Sequence, residues 1–281
     1  MPAFLVYTLL AVIPIIQSVY FSFFSWPGIS KIPMKFVGLA NFKNMLSSAG
    51  FWLSIKNVLW FIFLNLIFQI AMGYGLAILL VRCWKGYKAF KVAFFFPVVL
   101  PLTASALLWK FIYFPNDIGV LNQFLMFFGL DKLTTAWLVN SKTALNAVIA
   151  ANVWTGFGYH VVIGFAALLG IPDEIMESAA LDGANGFQRL VKFTLPMIWE
   201  AIKISVVLII TGSMKNFDIV FVMTEGGPNG LTHVPSTLLY YEAFKYDHYG
   251  LGSAIAVFIF VVSLFLALIS LRLMQREAIE Y

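Results

Sequence analysis

Charge is scarce in this chain. Charged residues make up 11% of 281, against about 25% in a typical soluble domain, so its surface cannot lie mainly in water. Cysteine is nearly absent: Cys83 stands alone. That excludes an internal disulfide framework and any multi-cysteine metal site, and leaves Cys83 as a small residue at a helix end. No GxxxxGK[ST] phosphate loop, HExxH pair or GxSxG elbow occurs. His160, His233 and His248 are scattered, with His160 read as a packing residue or a ligand at a helix interface. No catalytic residue, metal site or bound cofactor is therefore expected. The net charge of +5 suits an edge facing anionic lipid. Without a clustered basic tail, nucleic acid is not an expected partner.

Apolar residues supply what charge does not, at 61% of the chain. A membrane span needs about 20 mostly apolar residues. Runs of that length lie at about 3–24, 57–81, 92–113, 143–169, 199–221 and 251–271. The fold class expected is all-α: a polytopic membrane protein of six transmembrane helices forming a single domain, 1–281. The first run is too long for a signal peptide and no small-residue cleavage site follows it. Pro14 predicts a kink there, and Trp26-Pro27-Gly28 its end. Ala71 and Gly75 form a small-xxx-small pair suited to close helix packing. Pro97 and Pro101 free backbone groups in the third run, which places that helix inside the bundle. Trp26, Trp52, Trp60, Trp84, Trp109, Trp137 and Trp199 stand near run ends as interfacial anchors, whereas Trp154 is mid-span. With the N-terminus inside, Arg82, Lys85, Lys88, Lys91, Arg189, Lys192, Arg272 and Arg276 are internal. Lys31, Lys35, Lys43, Lys56, Lys132, Lys142 and Lys245 are then external, so density rather than count favours this orientation.

Between the fourth and fifth runs lies a segment, 171–196, that is far more than a connector. Asp173, Glu174 and Glu177 fall where a helix N-terminus favours carboxylates. Ile175 with Ala179, and Met176 with Ala180, share a small apolar face. Gly183, Asn185 and Gly186 break the pattern, and a second short run stops at Leu195-Pro196. Helix, turn, helix, stop is the expectation. A helix that merely lies on lipid carries large apolar residues and many cations; this one has small residues and acids, and reads as shaped for a protein partner.

Polar residues within the spans are the other signal. Lys215 and Asp218 are three apart in Ser213-Met214-Lys215-Asn216-Phe217-Asp218, a spacing that shares a helix face and permits an ion pair. They either line a translocation path with Asn216 and Phe217 or fix helix packing. Asn152, Trp154, Thr155 and Tyr159 combine amide, hydroxyl and aromatic groups that suit a sugar ring, though Asn and Thr also join helices. Lys110 is expected to snorkel to the interface.

The run Glu177-Ser178-Ala179-Ala180-Leu181-Asp182-Gly183-Ala184, followed by Leu195-Pro196, resembles the EAA loop of membrane subunits of binding-protein-dependent ABC importers. The chain is similar to the sugar-permease branch, of the maltose and glycerol-phosphate type. Weaker matches are Phe36-Val37-Gly38-Leu39-Ala40-Asn41-Phe42, Phe96-Pro97, Gly119 with Asn122, Phe217-Asp218, and Thr224-Glu225-Gly226-Gly227-Pro228 with Thr232. The resemblance implies that the loop is cytoplasmic and docks on an ATPase subunit through Glu177, Ser178, Ala179, Ala180, Asp182, Gly183 and Ala184. Both termini would then be cytoplasmic in a bacterial inner membrane. It further implies a second homologous permease, two ATPase subunits holding ATP and magnesium, and an external solute-binding protein. Ser178 replaces the family's first alanine, a small-for-small change. The basic stretch that normally precedes the first span is missing, so Met1 is expected to be a late or trimmed start. A glycerol-phosphate or polyol permease, an ion-driven secondary transporter and a non-transporting membrane scaffold are the competing readings.

Overall fold

A computed structural model of the chain describes residues 1–82 and 87–274. Cys83, Trp84, Lys85 and Arg276 lie outside the described residues, as do the side chains of Arg82, Lys88 and Lys91. Among the described residues the architecture is helical, apart from one two-stranded antiparallel ribbon, β1 (Phe24–Ser25) with β2 (Lys35–Phe36). Its helices are α1 (Pro2–Phe21), α2 (Ala40–Ser47), α3 (Ala49–Arg82), α4 (Tyr87–Val99), α5 (Leu102–Ile112), α6 (Val120–Phe127) and α7 (Ala144–Leu169). They continue as α8 (Asp173–Leu181), α9 (Gly186–Met197), α10 (Trp199–Met214), α11 (Asp218–Thr224), α12 (Pro235–Tyr240) and α13 (Tyr249–Leu273).

Among the described residues, α1, α3, α7 and α13 are each long and apolar enough to cross a membrane. Two further pairs qualify only as bent spans: part of α4 with α5, turning by 104°, and α9 with α10, turning by 67°. The third run is thus not one helix. Pro97 is accommodated inside α4, but Leu100-Pro101 ends it, and Pro101 becomes the N-cap of α5. A proline lacks the N–H that would continue the ladder and biases its predecessor away from helix. Other boundaries move as well. α1 ends at Phe21, because Phe24 pairs with Phe36 in the ribbon. The second span begins at Ala49 rather than near 57.

α3 and α7 form the spine, and both main apolar clusters are built on them. One cluster joins Val58, Phe61, Val148 and Ala151 to Ala106, Met214, Ile219 and Val220; the other joins Tyr74 and Ala77 to Phe157, Val161 and Ile198. Close approach relies on glycine at other positions than the sequence pattern suggests. Ala71 and Gly75 are exposed, and a Cβ on Gly75 would meet nothing within 4 Å. It is Gly73 that packs on α7, where a Cβ would come within 2.6 Å of His160 Cβ. On the far side of α7, Gly158 lies against the Phe94 carbonyl of α4.

Buried asparagines tie the connecting segments down. Asn41 donates to the carbonyls of Ser22 and Phe24, each at 2.9 Å, and Asn57 to those of Leu231 and His233, each at 2.8 Å. Asn122 donates to the Asn116 and Thr135 carbonyls and accepts from Trp137 Nε1 at 2.8 Å. A loop that cannot bury much apolar area needs such satisfied backbone groups to hold one conformation.

Candidate functional site

Two features stand apart from the packing: a cavity between helices, and a helical elbow at the bundle end.

The cavity, of about 430 Å³, lies where α10 gives way to α11 and is walled by α3, α7 and the start of α5. The fifth run breaks here. Met214 ends α10, Lys215 is its C-cap, and α11 begins at Asp218. Lys215 and Asp218 therefore sit on opposite sides of a break rather than on one helix face, and among the described residues no ion pair joins them. Both are exposed and both line the cavity, with Asn216, Phe217, Asn152 and Tyr159. The ion pair is corrected, but Lys215, Asn216, Phe217 and Asp218 share one cavity with Asn152 and Tyr159.

Trp154 is the exception. It lines a separate, mostly apolar cavity with Leu64, Phe68 and Met72, and meets Trp109 edge-on at 5.7 Å. Helical rotation explains this: Trp154 is two residues from Asn152, which places it on another face of α7. Thr155 turns back to the Asn152 carbonyl at 2.9 Å and does not line the cavity. Lys110 reaches the Val222 carbonyl at 3.3 Å, so it is tied to α11.

Asn65 and Gln69 were missed by sequence reasoning, although an amide pair at i, i+4 within an apolar span is a legible signal. Asn65 is 1% exposed and donates to Asn152 Oδ1 at 2.9 Å and to Ser213 Oγ at 3.0 Å. Gln69 donates to Asn65 Oδ1 and the Asn152 carbonyl, each at 3.3 Å. This network joins α3, α7 and α10 in the wall of the cavity. His160 also contributes to the wall, and its Nδ1 has no hydrogen-bond partner. The result is a site with one cation, one anion, several amides and two aromatic rings.

The elbow is α8, the turn 182–185, and α9. It lies at the end of the bundle where α3 and α7 finish, since Ile78, Val81 and Leu168 share a cavity with Asp173, Met176, Arg189 and Thr194. α8 closes on a Schellman turn: Gly183 N–H donates to the Ala180 carbonyl at 3.1 Å and Ala184 N–H to that of Ala179 at 3.0 Å. Gly183 holds φ +79°, a left-handed conformation that glycine adopts without steric cost. α9 opens at once on a capping box, in which Asn185 and Gln188 exchange side-chain to backbone bonds at 2.9 Å. Both helix ends at the turn are satisfied locally, which makes the elbow stiff.

Leu195-Pro196 is not a stop. The helix runs through it to Met197, and the bend falls at buried Ile198 before α10. Pro196 is accommodated near the C-terminal end of α9, directly after a π-helical turn over Leu190–Thr194. Ala179 must also be corrected as a contact residue. At 2% exposure it packs within the chain, and only its carbonyl serves the turn. Glu177, Ser178, Ala180, Asp182 and Gly183 are exposed and Ala184 half-buried. Two side chains not singled out from sequence dominate the outer face: Leu181, 89% exposed, and Phe187, 74% exposed.

YurN, an ABC transporter permease protein of Bacillus subtilis, is 37% identical over 273 residues, spanning 95% of this chain and 92% of YurN. The trehalose/maltose transport system permease protein MalF of Thermococcus litoralis is 31% identical over 242 residues, spanning 86% of this chain and 81% of the relative. A bacterial alginate ABC transporter, solved in complex with an alginate pentasaccharide-bound periplasmic protein, superposes at a TM-score of 0.83. That match covers 98% of this chain and 92% of the other at 23% identity, and it speaks for the fold. No family model matches the chain. Identity of 31–37% over 86–95% of its length makes this chain a member of the sugar-permease branch of ABC importer membrane subunits.

Proposed function

We propose that this chain is one half of the membrane pore of an importer that carries a sugar or oligosaccharide across the bacterial cytoplasmic membrane. Taking α4 with α5 as one bent span and α10 as another, with α9 left in the elbow, gives six crossings. Both termini and the elbow then lie on the cytoplasmic side, and the segments 22–48, 113–143 and 225–248 on the outer side. A second homologous permease completes the pore, two ATPase subunits hydrolyse ATP, and an external binding protein delivers substrate.

The observation that carries this reading is the elbow. The chain has no phosphate loop, so energy must enter from a partner. A locally satisfied turn that presents Leu181 and Phe187 to solvent suits a docked lever. Such a lever transmits a partner's motion to a bundle with two packings. The cavity supports the other half of the reading, because amides with Tyr159 and Phe217 suit hydroxyls and the apolar face of a sugar ring. Lys215, unpaired in that cavity, keeps a second reading in view, in which glycerol phosphate or another polyol phosphate is carried.

Affinity purification of the chain from its own host tests the assembly. Recovery of an ATPase and a second permease is expected, with uptake of radiolabelled maltose or trehalose into proteoliposomes only when ATP and the binding protein are present. Uptake by the lone chain without ATP would instead make it an ion-driven transporter.

A further inference from the structure

We infer that Asn65 and Gln69 are positioning residues that fix which end of the Asn152 side-chain amide is offered to the substrate. The inference rests on the sugar reading above and names a group that meets the sugar. The oxygen and nitrogen ends of an amide are alike in shape, so only its hydrogen bonds decide which end faces where. Here the decision starts at a backbone group that has no choice. The Asn152 carbonyl can only accept, and Gln69 Nε2 donates to it at 3.3 Å. The same nitrogen lies 3.3 Å from Asn65, which must answer with its oxygen end. Asn65 is left with its nitrogen for Asn152, at 2.9 Å, and for Ser213 Oγ, at 3.0 Å. Asn152, facing that N–H, turns its own oxygen to Asn65. Its nitrogen end is what remains. Among the described residues no protein group accepts from Asn152 Nδ2, and the side chain is half-buried in the cavity wall. Asn65 and Gln69 are buried, so reversing either amide would set like ends face to face with little water to relieve them.

A hydrogen-bond donor is what this arrangement offers the ligand. Ring and glycosidic oxygens of a saccharide accept and cannot donate, so they need an N–H, whereas a hydroxyl serves either way. Lys215, on the same cavity, is likewise a donor only. A donor held in one direction discriminates by leaving itself unpaired when the ligand lacks an acceptor there. The competing role is plain interhelical joining, common for amides in membrane helices. In that case loss of Asn65 loosens the bundle, and its effect does not depend on Asn152.

The test uses the assembled importer in proteoliposomes, with ATP present and with binding protein and sugar both saturating, so that delivery does not limit uptake. Import of radiolabelled maltose or trehalose, whichever the wild type carries, is measured beside ATP hydrolysis. The variants are Asn152→Ala, Asn65→Leu, Gln69→Leu and the double variant Asn65→Leu with Asn152→Ala. Sugar imported per ATP is expected to fall about fivefold in Asn152→Ala and in Asn65→Leu, the size of one hydrogen bond. No further fall is expected in the double variant, because a positioning residue acts only through the group it positions. Gln69→Leu should lose less, since Asn65 keeps its bonds to Asn152 and Ser213. Wild-type import in Asn65→Leu would overturn the inference. So would losses that multiply to about twenty-five-fold in the double variant, the mark of a separate structural role. If Asn65→Leu fails to assemble, Gln69→Leu carries the same cycle, and a loss there that persists undiminished beside Asn152→Ala overturns the inference equally. Each of these results leaves the importer reading intact. A wild-type importer that carries no saccharide at all would remove the sugar reading, and this assignment with it.

Discussion

Substitution of Gly183 separates backbone geometry from bulk in the elbow. A Cβ there meets nothing within 4 Å, so size is not the obstacle. The obstacle is φ +79°, which costs an ordinary L-residue about 1–2 kcal/mol and Asn much less. The two turn bonds, Gly183 N–H to Ala180 and Ala184 N–H to Ala179, depend on that φ. Damage should therefore rise in the order Gly183→Asn, Gly183→Ala, Gly183→Val. Since about 1.4 kcal/mol is a tenfold change in an equilibrium, the alanine variant should open the turn about five- to thirtyfold more often. Gly183→Asp shares the shape and left-handed tolerance of Asn, but places a negative charge at the C-terminus of α8, unfavourable by about 0.3–1 kcal/mol. Hydrogen exchange at the Ala184 amide reads the turn, and sugar imported per ATP hydrolysed in proteoliposomes reads the coupling. A valine variant with wild-type protection and wild-type coupling would refute the argument. So would an asparagine variant as damaged as valine, because the left-handed backbone would then not be the cause.

Gly158→Ala drives a Cβ into the Phe94 carbonyl, a backbone atom that cannot swing aside. A loss of about 1–3 kcal/mol is expected, seen as a lower midpoint in detergent or heat unfolding. Asp218→Ala removes an exposed carboxylate from the cavity wall without breaking an ion pair, so uptake should fall while the complex still assembles; an unchanged uptake rate would take Asp218 off the path. In the connection between α11 and α12, burial holds His233 below its ordinary value of 6.5, with its ring against Tyr241 and its Nδ1 3.1 Å from Thr237 Oγ1. The unfolded state then binds more protons than the native one. This contribution is complete above about pH 6.5 and is lost as pH falls from there through the lowered value. Amide exchange across 225–237, corrected for intrinsic rates, should accelerate on acidification in the wild type and lose that added dependence in His233→Gln.

Composition and run length alone determined that the chain is helical and apolar enough to span a membrane, because a bilayer selects for length and hydropathy, both one-dimensional quantities. The elbow was equally legible. Its acids, small residues and Gly183 are local signals for helix start and stop, and the turn needs nothing beyond its own segment. What only the tertiary structure decided was which face each residue presents. Pro101 ends a helix where Pro97 is tolerated within one. Gly73 rather than Gly75 meets α7, and Ala179 turns inward while Leu181 points out. Lys215 and Asp218 keep their spacing but fall on either side of a break, and Trp154 faces another cavity than Asn152. Every span here is apolar almost all round, so the pattern carries little periodicity to orient it. Rotation about each helix axis is then set by which neighbours pack against it, and that information is held between segments rather than within any one of them.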